Sequence, residues 1–122
     1  MKVGDITADF NRGIQTSGSE NRGAESTLGN FVADVQLWAT QDRGTQVAFM
    51  NPGGLRADLR YVANPSVPGD GTGVVTYQEA AGVQPFANTL VTLDLTGAQI
   101  KAVLEQQWQP AGASRPFLKL SV

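Results

Sequence analysis

Apolar and polar residues alternate from Asp5 to Phe10, with Ile6, Ala8 and Phe10 on one side and Asp5, Thr7 and Asp9 on the other. A period of two belongs to a half-buried strand, so the sequence predicts a first strand here. Asn11 to Glu25 then keeps neither period and carries Gly13, Ser17, Gly18 and Ser19, which predicts a long loop. Leu28, Phe31, Val32, Val35, Trp38 and Ala39 recur at helical spacing, with Ser26 or Thr27 placed as N-cap and Gly44 just beyond. They predict a helix over about Leu28 to Gln41.

Gln46 to Met50 is short, apolar and halted by Asn51-Pro52-Gly53-Gly54, the pattern of a buried strand ending in a tight turn. Ala63 to Gly73 is dense in Pro, Gly and Asn and predicts a loop. Val74-Val75 leads into Thr76-Tyr77-Gln78-Glu79, the spacing of a capping box, so a short helix is expected to begin there and fade by Gly82. Leu90 to Leu95 alternates again. Thr96-Gly97-Ala98-Gln99 repeats the capping spacing ahead of Ile100, Val103, Leu104 and Trp108, predicting a helix from Gly97 to about Gln107. Pro116 to Val122 reads as a closing strand through Phe117, Leu118, Leu120 and Val122. The order strand, helix, strand, short helix, strand, helix, strand predicts an α/β fold, a mixed sheet with flanking helices. Trp38 and Trp108 fall on apolar helical stripes and are expected in the core.

Composition narrows the chemistry. The chain has 122 residues, room for one domain, and contains neither histidine nor cysteine. The commonest general base, the usual zinc ligands and every thiol nucleophile are therefore missing. Nine basic against eleven acidic residues give a net charge of −2, and no basic cluster is present, which argues against a nucleic-acid polymer as partner. No apolar run approaches a membrane span, and Met1-Lys2-Val3-Gly4-Asp5 has no apolar stretch, so no signal peptide is expected in this chain. Among the carboxylates, Asp34 lies opposite an apolar stripe, Asp94 on the polar side of a strand, and Glu79 in its cap; a solvated role fits each.

Two segments could hold a ligand. Asn51-Pro52-Gly53-Gly54-Leu55-Arg56 places two glycines and a guanidinium directly after a buried strand, where backbone can approach a ligand and an arginine can grip phosphate or carboxylate. The alternative is an ordinary turn with Arg56 solvated. In Gln84-Pro85-Phe86-Ala87-Asn88 an aromatic is followed two residues later by an amide, a pair that could stack on a flat ligand and bond to its edge. A core phenylalanine with a turn asparagine is the other reading.

Taken in order, Glu25-Ser26-Thr27-Leu28-Gly29-Asn30-Phe31-Val32-Ala33-Asp34, the Asn51 to Arg56 segment, Thr76 to Glu79, Gln84 to Asn88, and Leu95 to Glu105 resemble the C-terminal domain of the secreted 5′-nucleotidase, or metallophosphoesterase, family. That resemblance implies a two-domain hydrolase that removes phosphate from nucleotides. An N-terminal metallophosphoesterase domain, absent from this chain, would carry two divalent metal ions, and the C-terminal domain would bind the nucleotide or nucleoside and deliver its phosphate. By the same resemblance Arg56 contacts the nucleotide, Asn51, Gly53 and Gly54 shape its loop, Phe86 is one face of an aromatic clamp and Asn88 is the amide beside it; no catalytic residue, metal ligand or cofactor is expected here. Arg43 is a candidate for a further family arginine. Family domains continue past the strand resembled by Phe117 to Val122, into a Gly-Gly-Asp-Gly-Tyr-like segment with a second clamp aromatic and an acidic sugar ligand. The chain is thus expected to be such a domain lacking its last segment, inactive alone, from a secreted, periplasmic or cell-surface parent. Two other readings stay open: an interaction module that dimerises or swaps through an exposed sheet edge, and the substrate domain of a 2′,3′-cyclic phosphodiesterase or nucleotide-sugar hydrolase.

Overall fold

In the computed structural model, which describes residues 1–114 and 118–122, helix α1 (Thr27–Ala39) is the element against which the core is built. Ser26 caps it in extended conformation, its hydroxyl accepting from the Gly29 N–H at 3.0 Å and satisfying one of the amides that a helix start leaves unpaired. Leu28, Val32 and Ala33 point inward and form one buried cluster with Met50, Leu55, Leu59, Val75 and Val83; Ile6, Phe10 and Ala48 pack against it. Phe10 also meets Phe31, ring centroids 4.8 Å apart and tilted by 41°, a favourable aromatic geometry.

Strand β1 (Lys2–Asp5) pairs antiparallel with β2 (Val74–Thr76), Lys2 opposite Thr76 and Asp5 opposite Val74. β2 runs without a break into helix α2 (Tyr77–Val83). Thr76 serves both elements: it ends the strand, is 1% exposed, and its hydroxyl accepts from the Glu79 N–H at 3.3 Å while the Glu79 carboxylate accepts from the Thr76 N–H at 2.9 Å. Helix α3 (Gly97–Glu105) opens with the same device, Thr96 and Gln99 exchanging bonds of 3.3 and 2.8 Å, but buries no residue. The α/β expectation holds in a small form, two antiparallel strands and three helices among the described residues.

Several expected strands are corrected. The first lies at Lys2–Asp5 and overlaps the alternating run from Asp5 to Phe10 only at Asp5; beyond it, Phe10 alone in that run pairs, as an isolated bridge to Leu59. Gln46 to Met50 contributes one bridge, Met50 to Ser121, and Leu90 to Leu95 forms no strand. Alternation marks which face a side chain takes, whereas a strand also needs a neighbour's carbonyls and amides, and these segments find few. In the closing segment, Ser121 pairs with Met50, while Pro116 and Phe117 lie outside the described residues. The tryptophans are also corrected: Trp38 is 71% and Trp108 63% exposed. The core takes the Leu28, Gly29, Val32, Ala33 side of α1, which leaves Trp38 on the far edge of its apolar stripe, and α3 is not packed deeply enough to bury Trp108 just beyond its end.

The long loop from Asn11 is pinned by charge. Arg12 donates to the Asp58 carboxylate from its backbone N–H at 2.9 Å and its Nε at 3.0 Å, and Arg60 Nη2 donates to the other oxygen at 3.0 Å. Burial pushes the Asp58 pKa up, but the bonds from Arg12, its charge and that of Arg60 outweigh this and hold Asp58 below the ordinary carboxylate range. A carboxyl depressed on folding contributes stability that is present above its unfolded pKa and is lost as pH falls through the folded one. Denaturant melts should therefore show stability constant above about pH 5 and declining below about pH 4. Asp58→Asn should flatten part of that acid decline; an unchanged decline would remove Asp58 from its causes.

Candidate functional site

Met50 exchanges backbone bonds of 2.9 Å in both directions with Ser121, and the chain turns immediately afterwards. Asn51 precedes a single 3₁₀ turn over Pro52–Gly54, closed by Gly54 N–H to the Asn51 carbonyl at 3.2 Å. Neither Gly53 nor Gly54 has positive φ, so the turn conformation itself does not demand glycine. At Gly54 a Cβ would lie 2.5 Å from Met50 Cε and 3.3 Å from Asn51 Oδ1, so the flexible tip of Met50 would have to shift to admit one. A Cβ on Gly53 would stand 3.3 Å from Asn51 Nδ2 and 3.7 Å from Arg22 Nη1. Arg22, from the polar loop, therefore reaches over this turn while paired with Glu20 at 3.1 Å. Its sequence neighbourhood distinguishes it in no way from a surface arginine, so nothing local singled it out.

Leu55 is 1% exposed and anchors the turn in the core, turning Arg56 outward. The Arg56 N–H donates to the Val83 carbonyl at 2.8 Å, which fastens the turn to the end of α2. Gln84 to Asn88 begins there, and as a result Arg56 Cζ sits 5.9 Å from the centroid of the Phe86 ring, inside cation–π range. Two candidates separated by thirty positions in the chain are thus brought together. Arg56 makes no ion pair among the described residues, which leaves its donors available to an anionic ligand. Phe86 is 52% exposed, contrary to a core role. Ala87 between Phe86 and Asn88 holds φ at 52°, a left-handed conformation costing about 1–2 kcal/mol for a residue with a Cβ. Strain of this kind persists where surroundings fix it, commonly at binding loops.

A groove of about 290 Å³ runs between these segments, lined by Asn51, Gly54, Phe86 and Asn88, with Gln36 and Gln84 at its side. Both glutamine amides lie 3.5 Å from Met50 Sδ, which forms part of its floor. Gly53 and Arg56 are not among its lining residues but flank them in the same turn. Arg43 lies elsewhere, in a neighbouring groove of about 500 Å³. Among the described residues no three His, Cys, Asp or Glu side chains come together to hold a metal ion. The arrangement offers an aromatic face, amides and a guanidinium, groups that can bind a flat, anionic ligand. No helix among the described residues is long and apolar enough to cross a membrane.

Residues 2–121 match the family model described as 5′-nucleotidase, C-terminal domain, and the chain belongs to that family. It is 43% identical over 86 residues to the trifunctional nucleotide phosphoesterase protein YfkN of Bacillus subtilis, a match covering 70% of this chain and 5% of that protein. It is 39% identical over 87 residues to a cell wall protein of Listeria monocytogenes, covering 69% and 10%. A probable 5′-nucleotidase of Treponema pallidum is 32% identical over 87 residues, covering 69% and 13%. The chain thus spans between 5% and 13% of the length of these three relatives. No solved structure matches it.

Proposed function

We propose that this chain is the nucleotide-binding domain of a larger 5′-nucleotidase-like phosphohydrolase and carries no catalytic group of its own. The observation that supports this most is the Arg56 guanidinium 5.9 Å from the Phe86 ring beside a groove lined by Asn51, Gly54 and Asn88. In this reading a nucleobase stacks on the exposed Phe86 ring, Asn88 bonds to its edge and Arg56 pairs with the phosphate. Asn51, Gly53 and Gly54 hold the turn that aims Arg56, and Arg22 adds a second positive charge over Gly53. Hydrolysis belongs to a metallophosphoesterase domain N-terminal to this one, whose two divalent metals activate water and clamp the phosphoryl oxygens. The parent works outside the cytoplasm, in keeping with the cell wall protein among the relatives.

One stacked base contributes about 1–3 kcal/mol and a charge-assisted bond about 1.5–3 kcal/mol, set against the roughly 4 kcal/mol that even millimolar affinity represents. Binding to the chain alone is accordingly weak. Titration with AMP should move the backbone resonances of Arg56, Phe86 and Asn88 at roughly millimolar ligand. Shifts confined to β1 and β2 would rule this site out.

A further inference from the structure

Two helices bring a primary amide to the same sulfur. Gln36 lies on α1 and Gln84 is the residue that ends α2, and the Nε2 of each stands 3.5 Å from Met50 Sδ. That sulfur is a fixed point, because Met50 is 4% exposed and its backbone is bonded in both directions to Ser121. A thioether only accepts hydrogen bonds. At each glutamine the amine end therefore faces the sulfur, and the carbonyl oxygen, on the other side of the planar amide, faces away from it. Neither Oε1 accepts a hydrogen bond among the described residues.

Both glutamines line the groove of about 290 Å³ that Met50 helps to floor. Ligand sites run from about 300 to 1,000 Å³, so this one has the size for a base rather than for a whole nucleotide. Its other amides are not fixed in the same way. The Asn51 and Asn88 side chains make no hydrogen bond among the described residues, so each can turn its oxygen or its amine toward a ligand. Turning Gln36 or Gln84 over would set a carbonyl oxygen against the sulfur lone pairs. The polar groups whose sense is set before a ligand arrives are thus two acceptors.

Given the nucleotide-binding role proposed above, on which this rests, we infer that the groove selects bases carrying an exocyclic amine, adenine or cytosine, over hypoxanthine or uracil, which carry an oxo group in its place, and that Gln36 and Gln84 are the selecting residues. An exocyclic amine has two hydrogens to give, one for each glutamine oxygen. An oxo group brings a third acceptor to the same place with no proton to share, and acceptors removed from water without a donor are costly.

Nuclear magnetic resonance titration of the 122-residue chain with AMP and with IMP tests this, since the two ligands share the phosphate, the ribose and a stacking face. AMP should bind at least about fivefold more tightly, the worth of one to two net hydrogen bonds. Gln36→Leu combined with Gln84→Leu removes both oxygens and should bring the ratio close to one, mainly by loss of AMP affinity. Gln84 is exposed and Gln36 half-buried, so the fold, checked by circular dichroism, is retained. Asn88→Ala should weaken both ligands and keep the ratio. Equal binding of AMP and IMP by the unaltered chain, with shifts at Arg56, Phe86 and Asn88, would overturn the base preference and leave the nucleotide site standing; no shift there with either ligand would overturn both. Tighter binding of IMP, or a ratio that survives the double glutamine variant but is lost in Asn88→Ala, would also overturn the preference assigned to Gln36 and Gln84.

Discussion

Leu28→Ala should lower the stability of the chain by about 3 kcal/mol and its melting temperature by roughly 10 °C. Leu28 has no exposed surface and sits where α1 meets Leu55, Leu59 and Val75 in one cluster. Truncating a leucine in such a place loses the transfer energy of the side chain and leaves a cavity that close packing closes only in part, together about 2–5 kcal/mol. Against a total stability of about 5–15 kcal/mol for a domain this is a large share. Val35 provides the comparison: it lies on the same helix but is 44% exposed, and Val35→Ala should cost less than about 1 kcal/mol. Equal losses for the two variants, measured by urea unfolding, would mean that the buried face of α1 has been misassigned.

Arg56→Ala should reduce affinity for AMP by about 10- to 100-fold while leaving adenosine binding nearly unchanged. A hydrogen-bonded charge lost from one partner costs about 1.5–3 kcal/mol, which is that range of affinity. Adenosine has no phosphate to lose, so the two ligands separate the guanidinium's contact from general damage to the turn. The fold itself should survive, because the Arg56 side chain is exposed and its backbone N–H can still reach the Val83 carbonyl. Phe86→Ala provides the complementary pattern, weakening AMP and adenosine alike through the lost stacking of about 1–3 kcal/mol. Nuclear magnetic resonance titrations of both ligands against both variants check this. If Arg56→Ala weakened adenosine as much as AMP, the proposed phosphate contact would be wrong.

The parts of the fold legible in the sequence are those whose interactions are local. Ser26, Thr76 with Glu79, and Thr96 with Gln99 make their capping bonds within three residues, and all three helices begin where those residues say. The strands were not legible in this way. Lys2 to Asp5 pairs because Val74 to Thr76 lies beside it, seventy positions on, whereas the more strand-like Leu90 to Leu95 makes no backbone bond to another segment among the described residues. Trp38 shows a related limit: periodicity defines a broad apolar stripe, and only the partner surface decides which part of it is covered. In the candidate site, the Asn51 to Arg56 turn and the Phe86 to Asn88 segment could be picked out from residue types. Their adjacency could not, since it depends on one bond from Arg56 to Val83, and neither could the approach of Arg22 to Gly53.

Ser121 joins parts of the chain that are far apart in sequence. It exchanges backbone bonds with Met50, its hydroxyl accepts from the Ser26 N–H 95 positions away, and its side chain occupies the space a Cβ on Gly29 would need. Such contacts require a long loop to close before they return any energy, and chains dominated by them fold slowly. Helix α1 can therefore form early from its own caps, but Met50, floor of the Phe86 groove, is locked only once Ser121 arrives. The groove is consequently a late product of folding, and a chain caught before that step would keep its helices while having no place for a ligand.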